Sequence, residues 1–225
     1  MIGRFALACL DMAGTTVRDD GAVEAAFATA LAAVGIAEGT PRFEEAEVVV
    51  RRTMGWSKAD VFATLLEPVA AGEATAAFAA AYEAIVAAGA VSEIPGALQV
   101  LRDLRTAGVK VCLTTGFAAT TRDALLDALD WRAEIDLALS PADVGRGRPA
   151  PDLILGAMAR LGVDDPRAVA VAGDTVSDLQ AGNAAGAGAV IGVLSGAHDE
   201  ATLATAAPTA VIADVTGLID ILGRA

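Results

Sequence analysis

The spacing of apolar positions changes twice along the chain. Arg4 to Leu10 is a short apolar run that ends at Asp11, and Gly14-Thr15-Thr16 follow as a turn. A run of that length closed by turn residues reads as a buried strand. From about Gly21 to Ala90 apolar residues recur at helical spacing instead. Helices are expected over Val23–Val34, Phe43–Met54, Lys58–Leu66 and Ala71–Ala88, with breaks at Gly35, Pro41, Gly55 and Pro68. No strand pattern interrupts them, so this stretch is expected to be an all-helical insertion.

After Ile94-Pro95-Gly96 the pattern becomes helix then strand, repeatedly. Helices are expected over Leu98–Ala107, Thr121–Leu129, Pro151–Leu161 and Ser177–Ala185. Strands are expected over Val109–Leu113, Ile135–Leu139, Val169–Ala172, Ala189–Val193 and Ala210–Ile212. This alternation implies a parallel sheet covered on both faces, a doubly wound, Rossmann-like α/β core. The expected division is a core of residues 1–17 and 91–225 around a helical unit of residues 18–90. Asp11, Thr115 and Asp174 each stand just beyond the carboxyl end of a predicted strand. Open parallel sheets bind ligands in the crevice beyond those ends, so the three are expected to share one site.

Composition narrows the classes of function. The chain has 225 residues, is 55% hydrophobic and carries a formal net charge of -13. That balance argues against nucleic acid as a partner, because phosphate backbones reward clustered Lys and Arg. It leaves room for a small anionic substrate held by local basic groups and a metal. No apolar run reaches the ~18 residues of a membrane span, so no membrane is expected. The opening MIGRFALACLD lacks the basic flank and the cleavage site of a leader and reads as strand. Cys9 and Cys112 lie in apolar runs and are expected to be buried, reduced thiols, which favours a cytoplasmic location. Together with the single His198 they cannot form a structural zinc site. His198 is expected at the surface, and Arg51-Arg52 on an exposed helix face. Exposed apolar faces on the insertion would favour a homodimer.

The strand-end residues support phosphoryl chemistry. Asp11-Met12-Ala13-Gly14-Thr15-Thr16 places a carboxylate in a loop whose amides can face an anion, and a carboxylate can attack phosphorus to give an acyl phosphate. Thr115 and the Gly116 backbone can hold phosphoryl oxygens. Arg148, in Gly145-Arg146-Gly147-Arg148-Pro149, offers a permanent positive charge, with Arg146 as its competitor. Gly173-Asp174-Thr175-Val176-Ser177-Asp178 brings two carboxylates to a strand-to-helix turn, and hard oxygen ligands of this kind suit Mg²⁺.

Taken in order, the Asp11 loop, the helical insertion, Thr115, Arg148 and the Asp174/Asp178 pair resemble the haloacid dehalogenase superfamily over essentially the whole chain. The resemblance implies a core with a helical cap, and Mg²⁺ bound by Asp11, the Ala13 backbone carbonyl and the Asp174/Asp178 pair. Most phosphatases of the superfamily carry a second aspartate two residues after the nucleophile, as general acid and base. Here that position is Ala13, and the lost role is typically worth ~10²–10⁴ in rate. The loop is similar instead to that of the phosphonatases, which cleave the carbon–phosphorus bond of phosphonoacetaldehyde. Those enzymes also carry a cap segment Met-Gly-x-x-Lys, matched by Met54-Gly55-Trp56-Ser57-Lys58. The resemblance makes Lys58 an imine-forming lysine and assigns catalysis to Asp11, Lys58, Thr115 and Arg148. Gly14, Thr15, Met54, Gly116 and Phe117 are the expected substrate-binding positions. The chain departs from the phosphonatases where they have a cap histidine (Val61 here), a tyrosine (Phe117) and a cysteine (Gly21).

The expected activity is Mg²⁺-dependent hydrolysis of phosphonoacetaldehyde or a similar small phosphonate. One rival is a phosphatase for a small ester such as phosphoglycolate, and another is a non-catalytic protein that binds a phosphorylated ligand. Retention of Asp11, Asp174 and Asp178 speaks against the latter, since binding alone does not require a nucleophile.

Overall fold

The computed structural model describes residues 4–18 and 20–224. The expected approach to the first strand through Met1–Gly3 lies outside them. In chain order the elements are β1 (Leu7–Asp11), β2 (Val17–Arg18), α1 (Ala22–Ala33), α2 (Pro41–Arg52), α3 (Lys58–Leu65), α4 (Pro68–Ala87) and β3 (Ser92–Glu93). They continue with α5 (Ala97–Thr106), β4 (Lys110–Thr114), α6 (Ala119–Ala128), β5 (Leu137–Leu139) and α7 (Asp152–Leu161). The last are β6 (Val169–Gly173), α8 (Val176–Ala185), β7 (Ala189–Val193), α9 (Glu200–Ala204), β8 (Ala210–Ile212) and α10 (Leu218–Arg224).

Six strands form one parallel sheet in the order β5-β4-β1-β6-β7-β8. Its strands are buried on both faces, and the alternation of side chains explains why. Ala8, Leu10, Val111, Leu113, Ala170 and Ala172 join a core that continues into the helical insertion. Leu7, Cys9, Cys112, Val169 and Val171 turn the other way, onto α7 and α8. β1 is central, with β4 and β6 as its neighbours, so the carboxyl ends of these strands lie side by side. The connection reverses direction here, and the crevice that such a switch opens is where the candidate residues emerge.

The helices α1–α4 form the insertion between the paired strands β2 and β3. Local signals start them: Thr40 accepts a hydrogen bond from the Phe43 amide at α2, and Ser57 accepts one from the Asp60 amide at α3. Phe27, Phe62, Phe78 and Tyr82 pack their rings together inside the insertion. α4 also reaches the core, where Thr121 of α6 donates to Glu83 at 3.0 Å.

Two expectations need correction. By length and composition α4 could cross a membrane, with twenty residues and a mean hydropathy of 1.2, because alanines dilute its charges. Here it packs along α1, α3 and α6, burying Phe78, Tyr82 and Val86. His198, expected at the surface, is half-buried, with Nδ1 accepting from the Val176 amide at 3.0 Å. Cys9 and Cys112 are buried and free, and they sit opposite each other on β1 and β4.

Candidate active site

A cavity of about 340 Å³ opens beyond the ends of β1, β4 and β6, beneath the insertion. Of the expected site residues, Asp11, Ala13, Gly14, Met54, Lys58, Thr115, Gly116, Phe117, Arg148 and Asp174 line it. Thr15 and Asp178 do not. Thr15 is fully buried behind Asp174, to whose carboxylate its hydroxyl donates at 3.2 Å. It supports a neighbour and does not reach the cavity.

Asp178 and Thr175 form a reciprocal cap at the start of α8. The Thr175 amide donates to one Asp178 oxygen at 3.1 Å, and the Asp178 amide returns a bond to the Thr175 hydroxyl at 3.3 Å. The other Asp178 oxygen takes the Arg148 guanidinium. The same guanidinium nitrogen meets Asp11 at 2.6 Å. Arg148 is 5% exposed, whereas Arg146, its competitor in sequence, is exposed and paired with Asp152 at 2.8 Å. The buried Nε of Arg148 has no hydrogen-bond partner among the described residues. A donor left that way costs stability unless a ligand oxygen takes it, which suits an anionic substrate.

Carboxylate oxygens of Asp11, Asp174 and Asp178 lie within 4.8 Å of one another, all buried. One guanidinium facing this cluster leaves a surplus of negative charge. Burial, and then the Asp11 carboxylate, push the Asp174 carboxyl up to about 7. Hard oxygen donors with uncompensated charge fit a divalent cation. Asp174 faces the cavity and Asp178 stands behind it, a difference in role that the spacing of the pair left open.

A short loop after β7 closes the far side. The Ala197 amide donates to Asp174 at 2.7 Å, and the Ser195 hydroxyl donates to the Gly14 carbonyl at 2.7 Å. Gly14 adopts a φ of +85°, and a Cβ there would collide with the Asp174 carboxylate. Ser195, Gly196 and Ala197 were not singled out in the sequence, although the fall from the apolar run Ala189–Val193 into Ser-Gly marks a fourth strand end. Arg18, Asp20, Gly21 and Glu24 at the mouth were also missed as lining.

The insertion meets the core through backbone. Ser177 donates to the Met54 carbonyl at 2.9 Å, and the Lys58 amide donates to the Gly116 carbonyl at 3.2 Å. A side chain on Gly116 would run into the Trp56 carbonyl. Lys58 itself is 8% exposed. Its ammonium lies 5.2 Å from the Phe27 ring centre, 5.6 Å from Phe78 and 5.3 Å from Phe117. Val61, where the phosphonatases have histidine, is buried among the helices and stays out of the cavity.

The family model for the haloacid dehalogenase-like hydrolases matches residues 5–186. The chain belongs to that family. This hydrolase is 36% identical over 90 residues to phosphonoacetaldehyde hydrolase of Bacteroides fragilis, a match covering 40% of this chain and 34% of the relative. It thus spans about a third of the length of that relative. It is 29% identical over 211 residues to IndB of Dickeya dadantii, named a probable phosphatase, covering 92% of this chain and 88% of that one. Among solved structures, a hydrolase from Pseudomonas syringae superposes with a TM-score of 0.84 at 26% identity, over 97% of this chain and 98% of the other.

Proposed function

We propose that this hydrolase cleaves the carbon–phosphorus bond of phosphonoacetaldehyde or a closely similar small phosphonate. The observation that carries this is a buried lysine, Lys58, on the wall of the cavity that also holds Asp11 and Arg148, with Ala13 where an ester phosphatase would keep its acid. The helices of residues 18–90 serve as a cap over a core of residues 1–17 and 91–225. Asp11, Asp174 and the Ala13 carbonyl would hold Mg²⁺, with Asp178 anchoring Arg148 beside them. The cation would offset charge on the phosphoryl oxygens and on the carboxylates.

The neutral Lys58 amine attacks the aldehyde carbon and, with uptake of one proton from solvent and loss of water, becomes a protonated imine. An Asp11 oxygen then attacks phosphorus while the C–P bond breaks. The bonding pair moves onto carbon and the imine becomes a neutral enamine, so no leaving oxygen needs a proton. Thr115, the Gly116 backbone and Arg148 hold the phosphoryl oxygens during transfer, with Gly14, Met54 and Phe117 shaping the space around the substrate. Protonation of the enamine carbon and hydrolysis of the imine release acetaldehyde and Lys58. Water attacks the aspartyl phosphate at phosphorus, releasing phosphate and Asp11. The protonated imine stands in the space lined by the Phe27, Phe78 and Phe117 rings, whose faces favour a cation.

A second reading, a small-molecule phosphate-ester phosphatase, is favoured by the near full-length similarity to IndB. Borohydride trapping with phosphonoacetaldehyde and Mg²⁺, followed by peptide mass spectrometry, separates the two. A reduced two-carbon adduct on Lys58, absent in Lys58→Arg, with release of phosphate and acetaldehyde by the wild type, is the expected result. Phosphate release from small esters without any adduct would replace C–P cleavage by the ester reading.

A further inference from the structure

A second cavity adjoins the site and takes no part in the chemistry above. It lies between α1 and α2, over the loop after β7, with a volume of about 380 Å³ against about 340 Å³ for the cavity that holds Asp11. Glu24, Met54 and Ala197 line both, so the two spaces meet at these residues. Met54 is the movable part of that boundary. Its carbonyl is held by Ser177 at 2.9 Å, but its side chain is unbranched and can turn without shifting the backbone. Phe27, Leu31, Phe43 and Val50 give the second cavity walls of carbon, and pockets of this size and lining hold the apolar parts of small molecules. Its polar side chains are engaged, or carry the wrong sign for an anion. Arg51 pairs with Glu47 at 3.2 Å, the His198 Nδ1 accepts from the Val176 amide at 3.0 Å, and Glu24 sets a carboxylate at the junction. Phe27 is a wall shared with the chemistry, because its ring centre lies 5.2 Å from the Lys58 ammonium. One ring therefore separates the carbon that Lys58 would attack from the second cavity. Phosphonoacetaldehyde has no group to place there.

We propose that the second cavity is a specificity subsite for an uncharged, apolar substituent on the carbonyl carbon, which makes 2-oxoalkylphosphonates the preferred substrate class. The reactive end of that substrate rests on the C–P reading above, whereas the subsite itself does not. Hydrolysis of such a compound consumes one water and gives phosphate and a methyl ketone. The electron pair of the C–P bond ends in the new C–H bond, as it does when acetaldehyde is the product.

Binding of n-alkylphosphonates, which carry a phosphonate and a tail but no carbonyl, tests the subsite without turnover. In calorimetric titrations of the wild type with Mg²⁺ present, Kd is expected to fall roughly 3- to 4-fold for each methylene added between ethyl- and hexylphosphonate. Ala28 lines the second cavity and not the first, and it is half-buried on α1. Ala28→Phe fills the space, and Ala28→Asp adds a charge with little bulk. Both variants should bind methylphosphonate as the wild type does and bind hexylphosphonate at least roughly 10-fold more weakly than it does. A Kd independent of chain length in the wild type would overturn the proposal. So would a full gain with chain length in both variants, which would put the tail elsewhere. Turnover provides the second arm: kcat/KM should rise with chain length along the 2-oxoalkylphosphonates in the wild type and stay flat in Ala28→Phe. If neither phosphonoacetaldehyde nor these ketones are cleaved while the binding pattern holds, the C–P reading falls and the subsite stands. If phosphonoacetaldehyde is cleaved and the binding series is flat, the subsite alone falls.

Discussion

Arg148 touches Asp11 and Asp178 through one guanidinium nitrogen, and all three side chains are nearly excluded from solvent. Removing a partner from a buried ion pair leaves the other charge desolvated and unmatched, a loss of about 3–5 kcal/mol. Arg148→Met is therefore expected to lower unfolding stability by that order in urea titrations. Arg148→Lys should recover only part of it, because an ammonium lacks the planar fork of donors. A second prediction concerns Asp11, the proposed nucleophile. Asp11→Asn should retain the fold yet drop steady-state turnover by at least roughly 10³-fold, with no aspartyl phosphate trapped on acid quench. At this scale the sequence was legible in position, since Asp11, Thr115 and Asp174 come from separate strand ends and line one cavity as expected. It was not legible where role depends on which way a side chain turns. Thr15 lies in the loop after Asp11 but points into Asp174. His198 sits in a polar loop, and the amide its ring accepts from lies 22 residues earlier, at the start of α8.

The insertion meets the core by surfaces that admit no extra atom. Gly116 faces the carbonyls of Trp56 and Gly55, and Gly55 faces the Thr175 and Ser177 side chains. A methyl group on Gly116 would have to displace backbone, which cannot rotate away as a side chain can. Gly116→Ala is expected to push the Gly55–Lys58 segment outward, raising KM at least roughly 10-fold and red-shifting Trp56 emission. Trp131, 1% exposed, should keep its spectrum and serve as the internal reference. Unchanged emission together with unchanged KM would show that the segment does not bear on the site. Periodicity located these elements well, since long amphipathic helices and continuously apolar strands both declare themselves by spacing. Strands β2 and β3, two residues each, carry too little pattern to be seen, and they form only because the chain returns beside itself after the insertion. The short α9 and α10 escaped for the same reason.

The molecule as a whole reports on the acidic cluster through its stability. Asp174 has its carboxyl pushed up to about 7 by burial and by the Asp11 charge, against about 3.9 in an unfolded chain. Between those values the folded protein holds a proton that the unfolded chain has lost. Stability from this group is thus complete below about pH 4 and declines as pH rises through about 7. A divalent cation reverses the balance, because it binds the ionised carboxylate and stabilises only the folded state. At low pH the cation must first displace the proton, so it stabilises less. Mg²⁺ is therefore expected to raise Tm more at about pH 8 than at about pH 5 in calorimetric scans. The net charge of -13 invites a competing effect, general screening of self-repulsion by any salt. Holding ionic strength constant with NaCl removes that term, and Asp174→Asn isolates the site, since it abolishes the proton competition while leaving the overall charge almost unchanged. Equal Mg²⁺ increments at both pH values in the wild type would mean that the cation does not bind at Asp174. A pH-dependent increment that vanishes in Asp174→Asn would tie cation, carboxylate and fold to the same equilibrium.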